Sequence, residues 1–579
     1  MPLPNVIGSG ADRFFSPAFY WRYRGLSAAF AVLITHSQLR KVILMQPTYP
    51  RLLAQLAQHP NRHNLLSMQR GLEKEGLRVN PNGELAESGH PKALGASLTH
   101  PSITTDFAES MLELVTDVAI TPDAAIASLE ELHQAALSQL PAGETLWNSS
   151  MPARLGNDEQ IQPAWFGHNN AGYQKHLYRQ GLARRYGNKM QTIAGIHYNL
   201  SLSDEFWQWQ QRLIGHGTAA ASERQSNGYM GLIRQFRRLA WLLSYLFGAS
   251  PAVDRSFFGA AVPAQLQQLD LDTFYLPWAT SLRMSDLGYS SNAQTALAVH
   301  FNSLDEYIDT IAAGLQTPYP TYQQFDNQDG TALTQLNSNL LQIENEFYSI
   351  IRPKRVAEKG ESQLLAMARR GVQYIEVRNL DINPLLPLGI DAQQAHFIEL
   401  FLLYCALQPS PQIDAVQHQR NLDNFALSVQ QGRKPGLLLQ DGDRRKTLTD
   451  WATELLQQML PLAELLDEVH GTDAYRNSWQ AQLDKCQDVS LTPSAQLLAK
   501  LQSGQSYLAL THDLSKQHAA TLTALPLTPE RQRHYQQLAT ESLRQFEQLE
   551  TQRQIPFSEH LAQLQQRHQQ LLKRHISAA

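Results

Sequence analysis

The chain has 579 residues, of which 43% are hydrophobic and 17% charged, and its formal net charge is −5. These values are ordinary for a globular protein, and the length permits one large domain or several smaller ones. Both signs of charge are interspersed, so we expect neither a nucleic-acid partner nor a membrane anchor. The two cysteines, Cys405 and Cys486, form no CxxC pair. Zinc sites and disulfide frameworks are therefore unsupported, and a cytoplasmic location is favoured.

The first 44 residues contain one apolar run, Leu26 to Ile34, which is about half as long as a membrane span. Basic and aromatic residues precede the run, as in a signal peptide, but Thr35 to Gln38 make a poor cleavage site. We therefore interpret residues 1–44 as a disordered extension or the product of a start codon placed too early. The folded chain is expected to begin near Met45, with a helix from Tyr49 to Gln58.

Short segments of alternating polarity follow between about residues 69 and 384. Residues i and i+2 of a strand lie on the same face, so the alternation predicts strands with one polar and one apolar side. The polar sides carry Glu73 and Glu75 (segment 70–79), His197, Asn199 and Ser201 (195–202), Gln342, Glu344, Glu346 and Tyr348 (341–348), and Tyr374, Glu376 and Arg378 (374–378). Asp106 and Glu113 belong to an apolar stretch that ends as a strand at residues 112–116.

Two groups between these segments combine arginines with tyrosines. They are Tyr178-Arg179 with Arg184-Arg185-Tyr186, and the segment from Arg283 to Tyr289. Such a group can clamp a substrate carboxylate while its rings line the pocket. Structural cation–π packing is the alternative, and these residues taken alone favour it.

The segment Ile351 to Arg355 is predicted to be a basic turn stiffened by Pro353. A turn of this kind beside a carboxylate cluster suits a nucleotide triphosphate, and a solvated basic loop explains it equally well. The sequence contains no Walker A motif and no glycine-rich signature of kinase or Rossmann type, so a nucleotide must be held in another way.

From about Asp391 the pattern becomes almost entirely helical. Helices are predicted over Ala395 to Leu407, Leu448 to Val469 and Pro529 to Ile576. The glutamine-rich end resembles a partner-binding coiled coil, but no heptad is sustained, so an amphipathic helix packed on its own domain is favoured. We divide the chain into the extension 1–44, a catalytic part 45–390 and a mostly helical portion 391–579 packed on it.

If the predicted strands share a sheet, several carboxylates and one imidazole meet on one face. Carboxylates crowded in a partly desolvated site repel one another, and divalent cations relieve that conflict. Oxygen-rich ligands with one imidazole favour Mg²⁺ or Mn²⁺ over zinc. The alternative is a half-exposed sheet whose polar side simply faces solvent. These residues therefore leave two interpretations open, and one of them is a metal-dependent phosphoryl-transfer enzyme.

Eight blocks in the sequence resemble the glutamate–cysteine ligases of gammaproteobacteria. The blocks are QRGLEKEGLRVN (69–80), HPKALGASLTHPSITTDFAESMLELVT (90–116), LYRQGLARRYG (177–187), MQTIAGIHYNLSL (190–202), YLFGASPA (245–252), YLPWATSLRMSDLGY (275–289), QIENEFYSIIRPKR (342–355) and YIEVRNLDINP (374–384). They are long, specific and in the order of that family, whereas the helical C-terminal portion is similar only in character. Chains of the family begin near Met45, so the N-terminal extension is a departure.

The resemblance implies an α+β fold with a glutamine-synthetase-like antiparallel sheet of about six strands, which forms a funnel surrounded by helices. It places Glu73, Glu75, Asp106, Glu113, His197 and Glu376 at magnesium-binding positions. Arg378 would face the transferred phosphoryl group, so Glu376 and Arg378 are the candidate catalytic residues, and Arg352, Lys354 and Arg355 would lie near ATP. The amino-acid pockets would be shaped by Tyr178, Arg179, Leu182, Gln191, Ile193, Arg283, Tyr289 and Tyr348.

The implied reaction joins the γ-carboxylate of glutamate to the amine of cysteine, with ATP as co-substrate and Mg²⁺ or Mn²⁺ as cofactor, as the first step of glutathione biosynthesis. Feedback inhibition by glutathione and a monomeric state are expected with it. Two alternatives remain, namely a related ligase that joins glutamate to another amine, and a non-catalytic nucleotide-binding scaffold.

Overall fold

The structure is a computed structural model that describes residues 48–215, 218–259, 261–288, 297, 299–325, 333–358 and 360–573. The predicted extension 1–44, the start near Met45 and the pocket residue Tyr289 lie outside the described residues. None of the described helices is both long and apolar enough to cross a membrane.

The central sheet confirms the predicted antiparallel architecture. Six strands run in the order β2-β3-β1-β5-β10-β9, every neighbouring pair is antiparallel, and β4 pairs with the far end of β1. A three-stranded sheet (β6-β8-β7) and a hairpin (β11-β12) lie apart from it. The strands are β1 Met68–Val79, β2 Ile103–Thr105, β3 Met111–Val115, β4 Thr145–Leu146, β5 Ile196–Leu202, β6 Ala252–Asp254, β7 Gln267–Gln268, β8 Thr273–Tyr275, β9 Ile351–Lys354, β10 Tyr374–Leu380, β11 Leu438–Asp441 and β12 Arg444–Thr447.

Helices surround the sheet and make up most of the chain after residue 391. Many begin at a Ser, Thr, Asp or Asn whose side chain accepts a hydrogen bond from a backbone N–H of the first turn, as Thr447 does from Asp450. The helices are α1 Tyr49–Ala57, α2 Arg62–Leu65, α3 Pro122–Leu137, α4 Asn170–Tyr186, α5 Asp204–Leu213, α6 Ala221–Phe247, α7 Leu304–Gly314, α8 Pro320–Gln323, α9 Gln363–Arg370, α10 Ala392–Leu407, α11 Ala415–Gln431, α12 Leu448–His470, α13 Ala474–Gln487, α14 Pro493–Gln502, α15 Tyr507–Ala524, α16 Pro529–Thr551 and α17 Phe557–Lys573.

The register of the sheet decides which side chains meet. In β1, Glu73 lies opposite His197 of β5, and Glu75 lies opposite Glu113 of β3. On the other side of β5, Asn199 lies opposite Glu376 of β10. Side chains of opposed residues in an antiparallel pair are neighbours on one face. The carboxylates predicted on separate segments therefore lie side by side.

The opposite face of the sheet is buried under helices and includes a polar network around Glu399 of α10. Arg70 of β1 donates to both carboxylate oxygens of Glu399 on α10, at 2.5 and 2.8 Å. The hydroxyls of Tyr198 on β5 and Tyr475 on α13 donate to the same carboxylate, at 2.8 and 2.9 Å. This network joins the sheet to the helical C-terminal portion, and both its charged members are buried.

The prediction of a strand at residues 341–348 is wrong. Glu344–Glu346 form a single 3₁₀ turn instead. Glu344 accepts hydrogen bonds from the backbone N–H groups of Gln363 and Leu364 at the start of α9, and Glu346 accepts one from the N–H of Gln342. The bond to Glu346 makes the N–H of Gln342 unavailable to a strand ladder, and Glu344 instead satisfies N–H groups at the first turn of α9.

Two further predictions of secondary structure are corrected. The basic segment Ile351–Lys354 is a strand and not a turn, and Pro353 is tolerated because β9 is the edge strand and pairs only with β10. The helix predicted over Pro529 to Ile576 is two helices, α16 and α17, separated around Pro556. Proline lacks an N–H and disfavours helical geometry at the preceding residue, which explains the break. Ile576 lies outside the described residues.

Candidate active site

A cavity of about 880 Å³ opens over the polar face of the central sheet. Its volume is near the upper end of the range for ligand sites, which suits a nucleotide together with an amino acid. The predicted site residues that line it are Glu73, Glu75, Asp106, Glu113, Tyr178, Arg179, Leu182, Gln191, Ile193, His197, Arg283, Tyr348, Arg352, Lys354, Glu376 and Arg378. Strands separated by hundreds of residues in sequence thus deliver their polar sides to one place.

The centre of the cavity is a cluster of carboxylates around one imidazole. Ligand atoms of Glu73, His197 and Glu376 all lie within 4.8 Å of one another, as a metal site requires. Nδ1 of His197 is 3.1 Å from Glu73 Oε2 and 3.7 Å from Glu376 Oε1, and its Nε2 is 3.6 Å from Glu75 Oε1. Asn199 donates to the second oxygen of Glu73 at 2.8 Å, which fixes the orientation of that carboxylate.

Burial and mutual repulsion act on two carboxylates of this cluster, Glu113 and Glu75. Burial, and then the charges of Glu73 and Asp106, raise the pKa of Glu113 well above its usual value. Burial also raises the pKa of Glu75. Such shifts are the sign of carboxylates that are costly to ionise together without a cation.

Glu73 and Glu376 differ from Glu75 and Glu113. Burial alone would raise the pKa of Glu73, but the hydrogen bond with His197, together with the charges of His197 and Lys354, outweighs burial and lowers the pKa. Cations surround Glu376. Burial alone would raise its pKa, but the charges of Lys354 and Arg378 outweigh burial and hold the pKa well below its usual value. Its Oε1 accepts from Arg378 at 3.0 Å, whereas Oε2 is buried and has no hydrogen-bond partner among the described residues. An ionised carboxylate that converges with ligand atoms of Glu73 and His197 is a suitable ligand for a hard divalent cation. The donor set of the cavity therefore fits Mg²⁺ or Mn²⁺.

The basic side of the cavity is built by β9 and β10. Arg352 and Lys354 lie on the same face of β9, and Arg352 is the strand partner of Glu376 on β10. The Nη2 group of Arg352 donates to the backbone carbonyls of Asn345 and Phe347, which orients the guanidinium. Lys354 Nζ is 3.6 Å from Glu376 Oε2.

Arg355 is not brought into the cavity with the other predicted ATP-binding residues. It follows Lys354 directly, so the alternation of the strand turns it to the other side. Its Nε and Nη1 atoms are buried without a hydrogen-bond partner among the described residues. Had residues 351–354 been predicted as a strand, Arg355 would not have been grouped with Arg352 and Lys354 as an ATP-binding residue.

Helix α4 supplies one wall of the cavity. Tyr178, Arg179 and Leu182 project from neighbouring turns, and the Arg179 guanidinium lies 4.4 Å from the centre of the Phe166 ring. The Nε of Arg179 also donates to the backbone carbonyl of Asp106, which ties the helix to the acidic cluster. Gly181 is needed here, because a Cβ at this position would lie 2.2 Å from the Gln342 side chain.

Arginines 185 and 283 show that part of the basic–aromatic pattern is structural. Arg185 forms an ion pair with Glu346 at 2.9 Å, and the Tyr186 hydroxyl donates to the same carboxylate at 2.8 Å. Arg283 donates to the backbone carbonyl of Arg378 at 2.8 Å and so contacts β10 directly. The Arg185 guanidinium also lies 4.2 Å from the centre of the Tyr322 ring, so the cation–π alternative holds for Arg185, while Arg283 lines the cavity.

Several lining residues were missed by the sequence analysis. They include Lys175 on α4, Arg237 on α6, His300, and His418 and Gln419 on α11. In a strand, alternation in the sequence predicts which side chains share the polar face. In a helix, many polar residues face solvent, and the local sequence does not indicate which of them lines a cavity. No signal in the single sequence would have identified them.

Comparison with known proteins gives one consistent family. A family model for glutamate–cysteine ligase matches residues 53–427. A glutamate–cysteine ligase of Azotobacter vinelandii is 47% identical over 509 residues, which cover 87% of this chain and 96% of that protein. One of Pseudomonas putida is 47% identical over 481 residues, covering 83% and 91%.

Solved structures agree with the sequence relatives. The glutamate–cysteine ligase of Francisella tularensis, solved in complex with AMP, superposes with a TM-score of 0.81 at 33% identity and covers 87% of this chain and 98% of its own. A bifunctional glutathione synthetase of Pasteurella multocida, at 24% identity and a TM-score of 0.60 over 81% of this chain and 52% of its own, shares the fold.

Proposed function

The chain belongs to the glutamate–cysteine ligase family, and from that premise we propose that its cavity joins the γ-carboxylate of L-glutamate to the amine of L-cysteine at the expense of ATP. The products are γ-glutamylcysteine, ADP and phosphate, and the reaction is the first step of glutathione biosynthesis. The observation that carries the proposal is the convergence of Glu73, His197 and Glu376 beside Arg378, Arg352 and Lys354 in one cavity. Carboxylates and cations arranged in this way suit phosphoryl transfer, which needs positioning and charge neutralisation and no protein nucleophile.

The acidic cluster would hold the divalent cation. Glu73, His197 and Glu376 offer one converging ligand set, and Glu75, Asp106 and Glu113 line the cavity beside it. Bound Mg²⁺ or Mn²⁺ would neutralise charge on the triphosphate and on the transferred phosphoryl group. Burial and the charges of Glu73 and Asp106 raise the pKa of Glu113, and this cost, which a cation would relieve, supports the assignment.

The chemistry begins with a carboxylate that is a poor electrophile and has to be activated. We propose that the γ-carboxylate of glutamate attacks the γ-phosphorus of ATP, which forms γ-glutamyl phosphate and releases ADP. The cysteine amine then attacks the acyl carbon, inorganic phosphate leaves, and the amine loses a proton as the amide bond forms. Arg378 and Lys354, beside Glu376, are placed to stabilise charge on the phosphoryl oxygens during both steps.

The wall made by α4 and its neighbours would bind the amino acids. Arg283 and Tyr348 lie together, since the Tyr348 hydroxyl is 3.4 Å from the sulfur of Met284, the residue that follows Arg283. A guanidinium and a phenol in one wall suit the carboxylate of an amino acid. Tyr178, Arg179, Leu182, Gln191 and Ile193 would shape the remaining surface.

The remaining expectations follow from the same reaction. We propose that the enzyme acts as a monomer in the cytoplasm, and that residues 45–390 carry the catalytic part with 391–579 as a helical portion packed on it. Glutathione contains the γ-glutamylcysteine unit, so we propose that it inhibits by competing for the amino-acid pockets.

An ADP-release assay tests the function directly. The purified protein with ATP, Mg²⁺ and glutamate is expected to release ADP continuously only when cysteine is added, and γ-glutamylcysteine should accumulate in equal amount. A panel of other amines separates this enzyme from a related glutamate–amine ligase, for which another acceptor would give the highest kcat/KM. ATP binding without any cysteine-dependent ADP would leave only the scaffold alternative.

Magnesium alone is expected to stabilise the protein. A cation that binds only the folded state at a hundred times its Kd contributes about 2.7 kcal/mol, and relief of repulsion among the carboxylates provides the physical cause. Thermal unfolding is measured without Mg²⁺ and with Mg²⁺ at about 10 mM, at constant ionic strength, and the difference gives the shift in Tm.

The matched variants for that measurement are Glu73→Gln, inside the cluster, and Glu468→Gln, whose side chain is largely exposed. Glu73→Gln should lose most of the magnesium-dependent shift, and Glu468→Gln should retain it. An equal shift in wild type and Glu73→Gln would refute a cation site at this cluster.

A further inference from the structure

Arg237 of helix α6 reaches the cavity but takes no part in the machinery described so far. Its guanidinium packs over the ring of Phe301, 4.8 Å from the ring centre, and its Nη1 lies 3.4 Å from Ser349 Oγ. Its Nε is buried without a hydrogen-bond partner among the described residues. Burial lowers the pKa of Arg237 to about 10, which still leaves the group charged at neutral pH.

Two other arginines of the cavity pair with carboxylates, Arg283 with Asp381 at 3.7 Å and Arg378 with Glu376 at 3.0 Å. Two more, Arg179 and Arg352, donate to backbone carbonyls. Within the described part of the chain, no carboxylate oxygen lies within 4.0 Å of Arg237. A desolvated cation without a counter-charge is unfavourable, so a folded protein that keeps one usually neutralises it with a ligand.

Arg234, one turn earlier on the same helix, shows what a structural arginine looks like here. Its guanidinium donates to the backbone carbonyls of Phe301, Asn302 and Ser410 at 2.8 to 3.0 Å, and it does not line the cavity. The helix thus carries one arginine whose donors are used on backbone carbonyls and another that lines the cavity, with a serine hydroxyl as its hydrogen-bond partner.

Two histidines complete the same end of the cavity. The rings of His300 and His418 lie 5.1 Å apart in an edge arrangement, and both line the cavity with Arg237. Burial, and then the charge of Arg237, lower the pKa of His418 to about 4, so its imidazole is neutral at pH 7 and can donate one N–H. The Nδ1 of His300 is buried and has no hydrogen-bond partner among the described residues. Donors and positive charge converge here, and the described residues place no carboxylate oxygen within 4.0 Å of Arg237.

We infer that Arg237, with His300 and His418, binds an oxyanion of a bound substrate and is a specificity-determining residue of the ligation. The inference rests on the proposed function, because the oxyanion has to come from a substrate of that reaction. Two sources share this chemistry, namely a phosphate of the nucleotide and the α-carboxylate of an amino acid. The guanidinium fork suits both, and hydrogen bonds to a charged group are about twice as strong as neutral ones.

The test is Arg237→Gln, with KM measured separately for ATP, glutamate and cysteine. We expect KM for the substrate that carries the oxyanion to rise at least about tenfold, with a smaller change in kcat. A rise confined to ATP identifies a phosphate, and a rise confined to one amino acid identifies its carboxylate. Arg237→Lys should recover part of the loss, since lysine restores the charge but not the planar fork.

Thermal unfolding separates binding from packing. Because Arg237→Gln removes a desolvated charge, its Tm without ligand should be equal to or above that of wild type, while the Tm increase caused by the affected substrate should shrink. Arg234→Gln should behave in the opposite way, with a lower Tm and all three KM values unchanged. Should Arg237→Gln not fold, Arg237→Met, which keeps the aliphatic contact with Phe301, takes its place.

All three KM values within twofold of wild type in the folded variant would overturn the inference. So would a lower Tm without ligand combined with unchanged ligand-induced shifts, since packing alone would then explain Arg237. Absence of cysteine-dependent ADP release in the wild-type protein would instead refute the proposed function, so the two failures are distinguishable.

Discussion

Arg378→Ala is expected to lower kcat for ADP release by about 100- to 1,000-fold while leaving the fold intact. A donor aimed at developing charge in a desolvated site has an effect of this size when it is removed. Arg378 contacts both Glu376, at 3.0 Å, and His197, at 3.3 Å, so it lies where the carboxylate cluster meets the basic strand. Steady-state kinetics with saturating ATP, glutamate and cysteine measure the effect.

Controls for this experiment are available on the same chain. Arg369→Ala changes an arginine on α9 that is 61% exposed and pairs with Glu361 at 3.4 Å, and it should retain normal turnover. Glu376→Ala should cause a loss comparable to that of Arg378→Ala, since it removes both a candidate cation ligand and the partner of Arg378.

Circular dichroism and Tm establish that the variants fold. Arg378 holds its place in β10 through the bond from its backbone N–H to the carbonyl of Ile350, which the substitution leaves in place. Turnover within a few-fold of wild type in a folded Arg378→Ala variant would contradict the role assigned to this residue.

Glu399→Gln is expected to destabilise the protein by about 3–5 kcal/mol, because breaking a buried ion pair leaves the other charge uncompensated. Arg70 and Glu399 are 3% and 0% exposed, and two parallel bonds join them. The carboxylate also accepts from Tyr198 and Tyr475, and an amide oxygen satisfies these donors less well. Urea unfolding followed by tryptophan fluorescence measures the loss.

The double variant Arg70→Met/Glu399→Gln tests the cause. If the unpaired guanidinium is the main penalty, removing both charges should cost less than removing Glu399 alone. Glu541→Gln on α16, which breaks an exposed pair with Arg544, should leave stability unchanged. The opposite result is a double variant whose free energy of unfolding is lower than that of Glu399→Gln by as much as a separate core substitution would cost. This result would show that packing, and not charge, dominates at this position.

The local patterns of the sequence predicted the strands that build the site. Alternation at residues 70–79, 195–202 and 374–378 identified β1, β5 and β10 and the side chains on their polar faces. The prediction succeeded because the period of two is a property of the strand backbone itself. The apolar run at 395–407 was recognised as a helix for a similar reason, and it lies within α10, most of whose residues are buried.

The patterns failed where side chains bond to backbone across the fold. Residues 341–348 alternate in the same way, yet Glu344 caps α9 and Glu346 pairs with Arg185, so no strand forms. Pro353 was taken as a sign of a turn, although an edge strand accepts a proline equally well. In each case the deciding partner lies outside the segment.

By itself, the sequence determined the polar faces of the strands, the helical character of the C-terminal portion, and, through its eight blocks, membership of a ligase family. Only the tertiary structure decided the pairing of Glu73 with His197 across 124 residues, the ion pair between Arg70 and Glu399 across 329 residues, and the placement of Arg237 opposite two histidines. The physical reason is that periodicity records which way a side chain points from its own element. Which neighbour it meets depends on strand register and helix packing, and these are set by burial over the whole chain.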